Sequence, residues 1–150
     1  MFCAKMALAA LPNIEPVSLL ILVYTAVFGK KAVYPIYVYV VLEFLIWGLG
    51  LWNINYLYVW LVLYFLGLAF RNMESAWGWA ILAGAFGLAF GLICTPVYCV
   101  SGGWAFGLSW WVSGIPYDVL HCVGNFVSVL VLRRPLVRAL SAMQRRYLPG

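Results

Sequence analysis

Long apolar runs separated by short polar gaps constrain this chain more than any other feature of its sequence. Of its 150 residues, 67% are apolar and only 9% are charged, and the mean hydropathy is +1.01. Soluble domains contain roughly 45 to 50% apolar and about 25% charged residues. Nine basic and four acidic side chains are too few to form the polar shell of a soluble domain. We therefore expect the chain to lie in a lipid bilayer.

A helix needs about 20 mostly apolar residues to cross a bilayer, and that length divides the chain into segments. The sequence predicts one all-α membrane bundle with five spans, at residues 16–28, 32–52, 54–70, 76–98 and 115–132. Residues 104–113 are too short to cross and are flanked by glycines, so we expect an interfacial or re-entrant segment on the outer side. We expect residues 1–12 to be the remnant of a sixth helix and residues 133–150 to be a cytoplasmic tail.

The basic residues lie almost entirely in alternate gaps between these segments. Eight of the nine follow the first, third and fifth segments, and Lys5 is the exception. The positive-inside rule assigns gaps that carry Lys and Arg to the cytoplasm, which predicts a cytoplasmic C-terminus. Because the net charge of +5 is explained by this topology, we do not expect a nucleic-acid partner.

Ionisable side chains inside apolar segments are the candidate binding groups, because in a membrane they are costly and face a cavity or a partner. Asp118, His121 and Asn125 follow at steps of three and four residues and so share one helical face. This face is compatible with the wall of an outward-opening pocket or with a hydrogen-bond network between helices. Glu43 is the other intramembrane charge, and the sequence is compatible with a protonated, paired or cavity-facing carboxyl there.

The outer stretch from Val100 to Asp118 carries three tryptophans, four glycines and no basic residue. Aromatic rings at such positions commonly anchor a protein at the membrane interface. The glycines and Pro116 alternatively indicate an irregular, mobile loop that covers a cavity. In that case Trp110 and Trp111 are candidates for stacking on a flat ligand.

Catalytic motifs are absent from the sequence. No G-x-S-x-G precedes Ser113, so this serine and His121 do not match a serine hydrolase. The chain has no phosphate-binding loop for nucleotide hydrolysis and no clustered aspartates for Mg²⁺. One His, one Asp and one Cys in the last segment match no known metal motif. We therefore expect neither an enzyme nor a resident cofactor or metal.

Three parts of the sequence resemble a known family. LPNIEPVSLLILVYTAVFGKKA, WWVSGIPYDVLHCVGNFVSVLVL and the closing basic R-R-P-L tail look like the substrate-binding S component of energy-coupling factor (ECF) vitamin transporters. The resemblance covers nearly the whole chain. It implies a six-helix protein of the bacterial cell membrane that binds a vitamin at its outer side. It further implies docking on a transmembrane coupling subunit driven by two ATPase subunits, with toppling of the S component in the membrane.

The resemblance also implies roles for individual residues. It places ligand-binding positions in the first outer loop, the last outer loop and the final helix, here Asn13, Glu15, Trp110, Trp111, Asp118, His121 and Asn125. Family members begin with a full helix whose small residues face the coupling subunit, and Cys3 and Ala7 are the corresponding small residues here. Most of that helix is missing. We therefore expect either that the start codon is misassigned and the true start lies upstream of Met1, or that the chain is a fragment.

The nature of the ligand is not encoded by a motif. The absence of basic residues on the outer side argues against a phosphorylated or strongly anionic vitamin. Abundant Trp and Tyr favour an aromatic or large planar ligand, and the branch of the family suggests a corrinoid such as cobalamin. The contrasting hypothesis is a membrane scaffold or assembly protein that transports nothing and whose polar helix face is structural.

Overall fold

The computed structural model describes residues 1–7 and 16–147, and within those residues the chain is helical and has no strand. This confirms the all-α class. The helices are α1 (Phe2–Ala7), α2 (Val17–Phe28), α3 (Val33–Trp47), α4 (Leu51–Tyr56), α5 (Val59–Ala69) and α6 (Ala76–Tyr147), with a 3₁₀ turn at Gly29–Ala32. Three stretches of the described chain are long and apolar enough to cross a membrane, Val17–Trp47, Leu51–Ala69 and Ala76–Tyr147.

Helix α6 folds back on itself at Gly103, whose φ of 85° and ψ of 169° are not helical. Glycine adopts positive φ without the steric cost of a Cβ, so it suits this bend. We call residues 76–102 arm α6a and residues 104–147 arm α6b. Close to the bend, a Cβ on Gly107 would lie 2.9 Å from the backbone nitrogen of Cys99. The two arms therefore run side by side as an antiparallel hairpin.

Small residues of α6a let the two arms approach closely along their length. The side-chain amide of Asn125 donates a hydrogen bond to the carbonyl of Ala83 at 3.3 Å. At Gly87, a Cβ would lie 2.8 Å from the backbone carbonyl group of His121, which is closer than real Cβ contacts come. Small residues at four-residue steps allow such backbone contact in membrane helices.

Some helix limits differ from those expected from the sequence. The second apolar segment ends at Trp47 rather than at residue 52, because Gly48 has a φ of 80° and ends the helix. The third segment begins earlier, at Leu51, and is divided into α4 and α5 at Leu57 and Tyr58. Helix α1 contacts α2 and α3, whereas residues 8–12 of the expected helix remnant lie outside the described residues.

Residues 104–113, for which the sequence also allowed an irregular loop, are the first part of α6b, and this arm continues through residues 133–147 of the expected tail. Gly107, the one glycine in this stretch, does not break the helix and packs closely against Cys99 of arm α6a. Trp110 stacks on Tyr98 with ring centroids 3.8 Å apart and an interplanar angle of 16°. The aromatic residues of this stretch are therefore displayed on a helix rather than on a loop.

Helix α2 forms the centre of the bundle and packs against both α5 and α6. Val17, Ile21 and Leu22 of this helix are almost completely buried. Large apolar side chains also cover the exterior, and Leu45 and Val131 are 75% and 60% exposed. An exterior of this kind suits lipid rather than water.

We expect Gly87→Ala to destabilise the protein. The added Cβ would clash with backbone atoms of α6b, which cannot relieve the clash by a change of rotamer. The free energy of unfolding should fall by about 1–3 kcal/mol, as it does at other overpacked positions. Gly114→Ala is the matched control, since its Cβ would meet nothing within 4 Å. Thermal unfolding in detergent measures both variants, and a Gly87→Ala protein as stable as the parent would contradict the close packing.

Candidate functional site

An aromatic-lined cavity of about 310 Å³ lies between α4, α5 and the two arms of α6. We call it the aromatic cavity. Its rings are those of Trp52, Tyr56, Trp60, Phe90, Trp110 and Tyr117. Polar side chains in its wall come from Asp118, His121 and Ser113, and none of the described residues that line it is Lys or Arg.

One face of the α4–α5 stretch supplies half of these rings. Trp52, Tyr56 and Trp60 follow at four-residue steps, which brings their side chains to the same side of a helix. Neighbouring rings touch in series, with centroids 5.6 Å apart for Trp52 and Tyr56 and 5.3 Å apart for Tyr56 and Trp60. Sequence reasoning missed these residues, although their four-residue spacing was a signal that pointed to them.

Asp118 is the acidic group of the aromatic cavity and is 5% exposed. Its Oδ1 accepts a hydrogen bond from the backbone N–H of Gly91 at 3.0 Å. Its Oδ2 is buried and has no hydrogen-bond partner. A side chain at position 91 would collide with this carboxylate, so the site requires glycine there. Oδ2 lies against Gly91 of arm α6a, and Asp118 contributes a carboxylate with one unused acceptor to the wall of the cavity.

His121 lies about one turn beyond Asp118 on α6b and also lines the cavity. Its ring is 6% exposed and meets Phe90 edge to face, with centroids 4.9 Å apart and an interplanar angle of 70°. This contact holds the orientation of the imidazole. A neutral imidazole carries one donor and one acceptor, so His121 can donate a hydrogen bond to a ligand or accept one from it.

Asn125 shares the helical face of Asp118 and His121 but has a different environment. It is 1% exposed, is bonded to the carbonyl of Ala83, and is absent from the described lining of the cavity. The face predicted from the sequence is thus divided. Asp118 and His121 line the aromatic cavity, whereas Asn125 only joins the two arms of α6.

The two neighbouring tryptophans also differ in position. Trp110 lines the aromatic cavity and stacks on Tyr98, whereas Trp111 is half-buried and is not among the described lining residues. Consecutive helical residues point about 100° apart, so the two indoles point in different directions. Within the described residues, the structure brings only Trp110 to the site.

Glu43 is buried and paired rather than directed into the aromatic cavity. Its Oε2 lies 2.9 Å from the ammonium of Lys5 on α1, and the residue is 2% exposed. The same ammonium lies 5.9 Å and 5.4 Å from the ring centroids of Tyr39 and Tyr56. Since Tyr56 lines the cavity, the ion pair supports one of its walls from behind. Sequence reasoning did not foresee this partner, which is 38 positions away.

The remaining predicted residues lie at or beyond the N-terminal helix. Cys3 is exposed on α1, and Ala7 is the last residue of that helix, with a side chain outside what the structure describes. Asn13 and Glu15 lie outside the described residues. In residues 1–7 and 16–147 no group of three or more His, Cys, Asp or Glu side chains is placed to hold a metal ion.

Comparison of the chain with protein-family models, with curated proteins and with solved structures finds no match. The geometry of the aromatic cavity and the chemistry of its walls therefore carry the functional argument.

We expect Lys5→Met to destabilise the protein, because it leaves the carboxylate of Glu43 buried without its counter-ion. Removing one partner of a buried ion pair lowers the free energy of unfolding by about 3–5 kcal/mol. The double variant Lys5→Met/Glu43→Gln removes both charges and should recover most of that loss. Thermal unfolding of the two variants is the measurement, and a Lys5→Met protein with an unchanged Tm would contradict a structural role for the pair.

Proposed function

We propose that this protein is the substrate-binding S component of an ECF transporter. In this role it binds a vitamin or related micronutrient at the outer face of a bacterial cell membrane. Uptake is driven by a transmembrane coupling subunit and two ATPase subunits. The aromatic cavity is the observation that carries the proposal. Small-molecule sites are typically mostly apolar cavities of about 300–1,000 Å³ with a few polar groups that orient the ligand, and this cavity has that form.

The proposed topology has five membrane crossings, made by α2, α3, the α4–α5 stretch, α6a and α6b. Three basic residues from separate gaps support it. Lys30, Arg71 and Arg133 are far apart in sequence but line one cavity, so they lie at the same end of the bundle. The positive-inside rule makes that end cytoplasmic and the aromatic cavity outward-facing.

The ligand chemistry follows from the walls of the aromatic cavity. The carboxylate of Asp118 favours a ligand that donates a hydrogen bond or carries a positive charge. Six aromatic rings favour a flat ligand or an organic cation. A volume of about 310 Å³ is at the small end for such sites and favours a compact ring system over a corrinoid.

A membrane scaffold is the second candidate, and one observation favours it. The hydrogen bonds from Asn125 to Ala83 and from Gly91 to Asp118 join the two arms of α6. Polar residues that only hold helices together would make these same contacts. The two candidates differ in whether the aromatic cavity takes up a ligand.

We expect one member of a vitamin panel that includes cobalamin and compact aromatic cations to quench Trp fluorescence and to raise the Tm. A ligand at 100 times its Kd should stabilise the fold by about 2.7 kcal/mol. The titration uses the purified full chain in detergent. Trp110→Phe should reduce the quenching, because it removes one of the three indoles that line the cavity, whereas the matched control Trp111→Phe should retain it. If no member of the panel changes the fluorescence or the Tm, the result would contradict the carrier function.

We expect Asp118→Asn to lower ligand affinity by roughly 10- to 100-fold, because a charge-assisted hydrogen bond is lost. The fold should change little, since an amide oxygen can still accept from Gly91. Ser128→Ala is the matched control: Ser128 lies on the same helix, is half-buried and bonds to the carbonyl of Asn125. If Asp118→Asn lowers the Tm markedly together with the affinity, the result would favour the scaffold.

A further inference from the structure

A second cavity, of about 490 Å³, lies at the other end of the same helices. It is enclosed by the end of α2, the end of α5, the start of α6a and the distal part of α6b. Three basic residues, Lys30, Arg71 and Arg133, contribute to its wall. We call it the basic cavity.

Arg133 is the most firmly held of these three residues. The carbon at the centre of its guanidinium lies 3.7 Å from the centroid of the Trp79 ring, so the two groups stack. Trp79 is itself 2% exposed and donates its indole N–H to the carbonyl of Met73 at 2.7 Å. The Nε of Arg133 is buried and has no hydrogen-bond partner. Arg133 therefore contributes a pre-oriented guanidinium with one unused donor to the wall of this cavity.

The charges around the basic cavity are not balanced within its wall. Among the described residues that line it, none is Asp or Glu. Three like charges around one cavity repel each other, and the repulsion is stronger where water is partly excluded. An anion in the cavity would relieve that repulsion and would supply an acceptor for the free donor of Arg133.

We propose that the basic cavity binds the phosphate of an anionic phospholipid headgroup. Guanidinium groups bind phosphate through paired hydrogen bonds, and basic pockets between membrane helices on the cytoplasmic side suit lipid headgroups. Val27, Phe28 and Leu68 also line this cavity, and their apolar side chains suit the adjoining part of a lipid better than a free, hydrated anion. The inference goes beyond the proposed function, because it applies to a carrier and to a scaffold alike.

The test is a titration of the purified full chain, in neutral detergent, followed by native mass spectrometry. The three probes are phosphatidylglycerol, zwitterionic phosphatidylcholine and inorganic phosphate. We expect preferential binding of phosphatidylglycerol. Lys30→Gln and Arg71→Gln, at exposed side chains, should each lower its affinity about fivefold without loss of fold. Arg133→Gln should lower the affinity further, and the exposed control Arg145→Gln, which does not line the cavity, should leave it unchanged.

Three results would overturn the proposal. Equal affinity for the two lipids would show that the headgroup charge is not recognised. An Arg145→Gln effect as large as that of Lys30→Gln would indicate general surface attraction instead of a site. Inorganic phosphate that binds as tightly as phosphatidylglycerol, and displaces it, would identify a soluble anion as the occupant.

Discussion

The close antiparallel contact between the two arms of α6 is the constraint on which the rest of the site depends. At Gly87 the two backbones leave no room for a side chain, and at Gly91 a Cβ would occupy the space of the Asp118 carboxylate. This contact sets Asp118 and His121 beside Phe90 and so forms one wall of the aromatic cavity. Small residues on one arm thus allow polar residues of the other arm to be held at the cavity.

The bundle has two chemically different ends. The end that contains the aromatic cavity has rings and one carboxylate, whereas the other end gathers Lys30, Arg71 and Arg133 around the basic cavity. Basic groups at one end favour the cytoplasmic side of a membrane and leave the opposite end for a neutral or cationic ligand. The same distribution of charge supports the proposed orientation in the membrane and the ligand chemistry proposed for each cavity.

Two buried carboxyl groups and one half-buried guanidinium are stabilised in three different ways. Glu43 is paired with Lys5, Arg133 stacks on Trp79, and Asp118 has one oxygen bonded to a backbone N–H and the other without a partner. Charged groups inside a membrane bundle are costly unless they have partners. Of these three groups, Asp118 combines an unpartnered oxygen with a position in the aromatic cavity, and this makes it the strongest candidate for contact with a ligand.

The sequence by itself determined the helical class and the shared face of Asp118, His121 and Asn125, because segment length and the 3.6-residue period are local properties. It did not determine that residues 104–113 are helical, since Gly107 and the glycines on either side of this stretch favour a loop, and the packing against arm α6a is a contact between distant residues. The pairing of Lys5 with Glu43 and the division of the polar face into a cavity part and a packing part were decided only by tertiary structure. Both depend on which helices become neighbours, and contacts between distant segments leave no periodic signal in a single sequence.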